Sequence, residues 1–285
     1  MMTDKCMVLP LHNGRFPFRE DFMNDGFKSI REQEWFTVEQ IDQDTFAISE
    51  YKHWEETHCY LLCGSCRALL IDTGLGVANL NHIVKQLTSL PVSAAVTHAH
   101  WDHIGGLKDF SDIAVHEAEQ SWISGHFPLP LETVRKNLMA EPCEFPAGFS
   151  IQDYRIFSGI PDRILCDGDQ IHLGNRNVLV IHTPGHSPGH CVFYEPERGY
   201  LYSGDLIYKG KLDAFYPTTD PVQFWNSVRK VQGLEIRRIL PGHHDMSVAP
   251  DLIQKIADAF QTIHDSGQLI QGSGIYDFNE FQIHI

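Results

Sequence analysis

At 285 residues with 42% hydrophobic content, the chain can bury one large core, and nothing in its composition demands a second. A formal net charge of −15 makes polyanionic nucleic acid a poor partner. Seven cysteines, an odd number scattered along the chain, exclude a disulfide framework. Residues 1–35 are polar, irregular and dotted with aromatics, which predicts an N-terminal arm or cap over the fold or over a neighbouring subunit, a homodimer being the assembly it would serve. Residues 36–285 then form a single domain. Within it, residues 36–50 and 59–72 read as successive strands of a first sheet, and Cys63-Gly64-Ser65-Cys66 reads as the corner of a two-residue hairpin turn. The second run ends in Ile71-Asp72-Thr73-Gly74, where Asp72 is placed to orient a ligand or the loop backbone. Residues 80–90 predict a helix and residues 94–97 a strand.

That strand opens onto His98-Ala99-His100-Trp101-Asp102-His103, three imidazoles and a carboxylate within six residues. In an extended or turning segment, side chains two apart share a direction. His98 and His100 can therefore grip one ion with Asp102 continuing the row, while His103, pointing elsewhere, can serve a second with Asp102. Imidazole nitrogen and carboxylate oxygen suit zinc at roughly 2.0–2.2 Å, with manganese or ferrous iron as competitors. Zinc takes about four ligands, so others must come from distant sequence.

Later segments offer them. Residues 117–160 form an aromatic-dotted stretch carrying Trp122, Phe127, Phe145 and Phe149. A strand within 171–181 runs into Thr183-Pro184-Gly185-His186, one within 191–205 ends in Ser203-Gly204-Asp205, and Ile239-Leu240-Pro241-Gly242-His243 repeats the pattern. Residues 221–231 and 250–264 predict helices, and the alternating tail 278–285 a final strand. His190 and His244 read as loop histidines without a chemical role, or else as supports of the ligands. His116 and His182 read as makers of structural hydrogen bonds. The basic run Arg229, Lys230, Arg237 and Arg238 reads as a solvated helix face.

Taken in order from Asp72 to His243, these motifs resemble the metallo-β-lactamase superfamily. The resemblance implies an α/β fold, a four-layer αββα sandwich of two mixed β-sheets flanked by helices, with two divalent metal ions at one sheet edge. His98, His100 and His186 would hold the first ion, Asp102, His103 and His243 the second, and Asp205 would bridge them. Asp205 stands where many true β-lactamases carry cysteine, which is similar to the glyoxalase II, lactonase and thioesterase branches. His100 replaces the glutamate of the flavodiiron reductases, which argues against a redox di-iron centre. Tyr208, three residues after Asp205, is similar to a tyrosine of the acyl-homoserine lactonases and fits the acyl-CoA thioesterase members equally well. The 117–160 insertion resembles the one that walls the substrate pocket in this superfamily, although its aromatics can equally pack a small core of their own.

The expected activity is that of a dinuclear metal-dependent hydrolase. Two metals lower the pKa of a shared water from about 15.7 toward roughly 7, and the metal-bound hydroxide attacks a small carbonyl substrate, a thioester or lactone first. Asp102 would pass the proton to the leaving group, the Tyr208 hydroxyl would stabilise the oxyanion, and Phe215, Tyr216 and Trp225 are candidates to receive an acyl chain. A phosphodiesterase or other phosphoryl hydrolase is the alternative enzyme, and a non-catalytic, metal-dependent sensing or binding protein the alternative class. Residues 1–10 lack an apolar core of leader length and no run approaches about 18 apolar residues, which predicts a cytoplasmic chain without a membrane partner.

Overall fold

The computed structural model describes residues 35–285. Residues 1–34, and with them the predicted arm and any dimer it would form, lie outside the described residues.

Seven strands build the first sheet in chain order: β1 (Thr37–Asp42), β2 (Thr45–Ser49), β3 (His58–Cys63), β4 (Ala68–Ile71), β5 (Val92–Ala95), β6 (Ile113–His116) and β7 (Arg163–Leu165). The first three pairings are antiparallel, because short turns join them; the last three are parallel and need crossovers. The segments 36–50 and 59–72 are thus hairpins rather than single strands, and Gly64 N donates to Arg67 O at 2.9 Å to close the expected two-residue turn at Ser65-Cys66. The crossover from β4 to β5 carries helix α1 (Leu80–Leu87), whose N-terminus is capped by Asn79 accepting from His82 N at 2.9 Å.

The second sheet contains β8 (Gln170–His172), β9 (Asn177–His182), β10 (Cys191–Glu195) and β11 (Tyr200–Gly204), with β13 (Arg238–Pro241) parallel to β11 at the edge. A third, small sheet was not foreseen: β12 (Lys211–Asp213) pairs in parallel with β15 (Phe281–His284), which pairs with β14 (Ile275–Phe278). The tail expected as one strand is therefore the end of a hairpin that turns at Asn279, whose φ is +57°. Five more α-helices lie among the described residues: α2 (Trp101–Ile104), α3 (Gln120–Ile123), α4 (Leu131–Leu138), α5 (Pro221–Val231) and α6 (Leu252–Asp265).

Strand pleating explains the layers. Tyr60, Leu62, Leu69 and Ile71 face inward and pack with Val178, Val180, Phe193, Tyr202 and Leu240 of the second sheet. Their neighbours Leu61 and Leu70 face outward under Leu80, Ile83 and Val84 of α1. On the far side Val192, Leu201 and Ile239 meet Phe224 and Val228 of α5 and Ile256 and Phe260 of α6. Alternate residues of each strand thus enter different layers, each such side chain contributing roughly 1.5–3 kcal/mol relative to exposure. The result is the four-layer α/β sandwich. At one end Arg176 locks the sheets together, reaching Glu195 at 2.9 and 2.8 Å and Asp44 O at 2.7 Å. Among the described residues no helix is long and apolar enough to cross a membrane.

Candidate metal centre

The other end of the sandwich collects the histidines and aspartates. Asp72 follows β4 with φ +62°, a left-handed conformation that aspartate tolerates better than most residues. His98 follows β5, and His100 is the extended residue from which α2 starts, so Asp102 and His103 ride its first turn. The other three ligand candidates, His186, Asp205 and His243, lie just beyond β9, β11 and β13. Gly204 makes this approach feasible. With φ +48°, a Cβ there would sit 2.8 Å from both His190 Nε2 and Thr97 Cβ.

All seven metal candidates named from the sequence converge. Three overlapping groups, His98–His100–His186, His98–His103–Asp205 and Asp102–His103–His243, each keep their ligand atoms within 4.8 Å of one another. His100 Nδ1 and His186 Nε2 are 3.0 Å apart, and His103 Nε2 and His243 Nε2 are 3.1 Å apart. Asp205 reaches both halves, with Oδ2 at 3.5 Å from His186 Nε2 and Oδ1 at 3.2 Å from His103 Nε2 and 3.3 Å from His243 Nε2. Ligands about 2.05 Å from a tetrahedral ion lie about 3.3 Å from each other, the spacing found here. Two buried atoms, His98 Nε2 and Asp205 Oδ1, have no hydrogen-bond partner. Donor type, spacing and orphaned atoms therefore fit divalent cations.

The outward-facing ring nitrogens of four of the five histidines are spoken for, which fixes the orientation of those imidazoles. His103 Nδ1 meets Asp72 Oδ2 at 2.9 Å, His98 Nδ1 meets Thr97 Oγ1 at 3.0 Å, and His186 and His243 donate from Nδ1 to Asp213 O at 3.0 Å and Glu55 O at 2.7 Å. Asp72 also accepts from Thr97 N at 2.7 Å, the orienting role expected of it. Electrostatics divide the centre. Burial and then His103 push His98 well below the ordinary histidine value, and burial with His186 pushes His100 down to about 3. Burial works in the same direction on His103 and His243, but the Asp72 carboxylate raises the former well above the ordinary value and Asp205 raises the latter to about 10. For Asp102, burial is outweighed by His103 and His243, which hold it down to about 2.

Several expectations need adjusting. Tyr208 lies beside the centre, its ring 5.6 Å from that of His243, but its hydroxyl donates to Lys211 O. His190, a loop histidine, takes the supporting role: it is fully buried, accepts from Asp205 N at 3.1 Å through Nε2 and meets Thr183 Oγ1 at 2.9 Å through Nδ1. Trp225 packs against His264 and Arg229 in the helix layer rather than at the site. Lys230 of the basic run binds Asp167 at 2.8 Å. In the insertion, Phe145 stacks on Trp35 and Phe149 against the outer core that the first sheet shares with α1, while Trp122 stacks on His100 with ring centroids 6.0 Å apart. His116 and His182 stack on each other and bond to backbone, as expected. Glu119, which carries no local signal, is buried between two ligand loops.

Residues 54–243 match the Metallo-beta-lactamase superfamily. Acyl-coenzyme A thioesterase MBLAC2 of Homo sapiens is 31% identical over 230 residues, spanning 74% of this chain and 81% of its own. Its Gallus gallus counterpart is 30% identical over 229 residues, 75% of this chain and 82% of its own. Among solved structures, a metallo-beta-lactamase from Pontibacter korlensis aligns with a TM-score of 0.58 at 17% identity, covering 79% of this chain and 99% of its own, a likeness of fold. The matched span contains all seven converging side chains, and so the chain belongs to the metallo-β-lactamase superfamily.

Proposed function

We propose that the chain is a dinuclear, metal-dependent thioesterase acting on acyl-CoA-type thioesters, with lactones as the second substrate class. The observation that carries the proposal is the convergence of the seven His and Asp donors into groups whose ligand atoms lie within 4.8 Å, in a chain 31% identical over 230 residues to an acyl-CoA thioesterase. His98, His100 and His186 would hold one ion, Asp102, His103 and His243 the other, with Asp205 between them. Two divalent ions, zinc first, would supply a water acidified to near neutrality and a Lewis acid for the carbonyl.

The chain's own groups do the rest. Asp205 presents one oxygen to each half of the centre, and His190 fixes its backbone N–H. Asp102, held ionised by His103 and His243, accepts the proton of the attacking water on a carboxylate oxygen and returns it to the departing sulfur. A thiol has a pKa near 8.5, so a thiolate leaves with little help from Asp102, which suits a thioester. Tyr208 must release Lys211 O before its phenol can reach a carbonyl oxygen, so we assign it a minor part.

Initial rates on an acyl-CoA, an acyl-homoserine lactone and a phosphodiester, each with and without chelator, test this. Chelator-sensitive hydrolysis favouring the acyl-CoA is expected. Preference for the phosphodiester, or rates indifferent to chelation, would overturn it.

A further inference from the structure

Glu119 touches the metal centre from outside its ligand set. It ends a short helical turn, Glu117–Glu119, and is fully buried. Its partners are backbone and hydroxyl donors rather than a lysine or arginine. Oε2 accepts from Ala99 N at 2.5 Å, between His98 and His100; Oε1 accepts from Gly189 N at 2.8 Å and from Ser187 Oγ, in the loop that carries His186. One carboxylate therefore joins the two loops that supply all three imidazoles of the first group. A Cβ on Gly189 would lie 2.8 Å from Glu119 Cγ, so the loop is built to admit this side chain. One turn later, Trp122 stacks on His100 at an interplanar angle of 8°.

A buried carboxylate without a cationic partner is costly unless several donors converge on it, as three do here. Among the described residues nothing comparable spans the loops of the second group, where Asp72 contacts His103 directly. We propose that Glu119 is the positioning residue of the first metal site: its carboxylate fixes the separation of the His98–His100 and His186 loops and thereby sets the affinity for one of the two ions. The proposal rests on the two-ion reading above.

The test is zinc titration of the full chain against a competing chromophoric chelator. Glu119→Gln keeps shape and one acceptor for Gly189 and Ser187 but turns an NH₂ group toward Ala99 N. It should weaken one zinc equivalent about 10- to 100-fold and leave the other within about threefold. Ser187→Ala, which removes a single donor, should weaken the same equivalent less and serves if the glutamine variant fails to fold. Glu195→Gln breaks the buried pair with Arg176 at the opposite end of the sandwich; it should lower the melting temperature yet keep both zinc affinities. Equal affinities in Glu119→Gln and the unmutated chain, or parallel weakening of both equivalents, would overturn the proposal. An unmutated chain that binds fewer than two equivalents would instead overturn the two-ion reading beneath it.

Discussion

The imidazoles of His98 and His186 lean on a threonine hydroxyl and a backbone carbonyl, and His100 leans on the face of Trp122. Across the centre, His103 leans on the Asp72 carboxylate, and His103 and His243 both face Asp102 at 3.4 Å. Burial dominates at His98 and His100 and drives both imidazoles neutral, leaving lone pairs ready for a cation. Carboxylates dominate the second and hold its histidines protonated, so an ion entering there must displace protons. Two donor groups built from nearly the same residue types thus differ in how pH would govern their filling.

Asp205 belongs to both halves, so Asp205→Ala should have the largest effect, losing both ions and lowering kcat on the order of 1000-fold. Metal analysis showing that a single ion departs would place Asp205 in one half alone. Asp72→Asn comes next. Its Oδ1 can still accept from Thr97 N, while an NH₂ replaces the acceptor at His103, so one ion should weaken about 10- to 100-fold and the other stay. Equal weakening of both would erase the distinction.

The metal-free chain should show the contrast as a pH dependence. His100 has a folded pKa of about 3 against an unfolded value near 6.5. The unfolded chain takes its proton first, and stability from this group is lost as pH falls from about 6.5 toward 3. His243, raised to about 10, contributes fully below about 6.5 and loses its contribution as pH rises through about 10. The metal-free melting temperature should therefore fall on both sides of near-neutral pH, and zinc should flatten the profile; melts at several pH values with and without zinc would reveal a one-sided dependence if the contrast is wrong. The smallest effect is expected of Tyr208→Phe. Losing the bond to Lys211 O should cost about 1 kcal/mol of stability and change kcat less than about tenfold. A loss beyond 100-fold with metal content intact would put the phenol on the reacting carbonyl.

The seven converging donors were legible because each is announced locally: a dense run after an apolar strand, then Pro-Gly-His or Ser-Gly-Asp after the next ones. Their supports were not. Glu119 pairs with Ala99 and Gly189 across 20 and 70 residues, and His243 is oriented by a backbone carbonyl at Glu55, 188 residues away, which no side-chain pattern encodes. His190 looked like a loop histidine because burial is a property of the folded loops around it. Most strands of the two large sheets followed from hydrophobic runs bounded by turns and their stacking from the family resemblance, whereas the short β6 and β7 were not read. The small third sheet escaped because Lys211–Asp213 is three residues long and finds its partner at Gln282–His284, at the far end of the chain.

The most direct measurement is the rate of acyl-CoA hydrolysis while zinc is added stepwise to the metal-free chain. A rate that rises and reaches its plateau at two equivalents is predicted. A plateau at one equivalent, or no thioester hydrolysis at any, would contradict the dinuclear thioesterase.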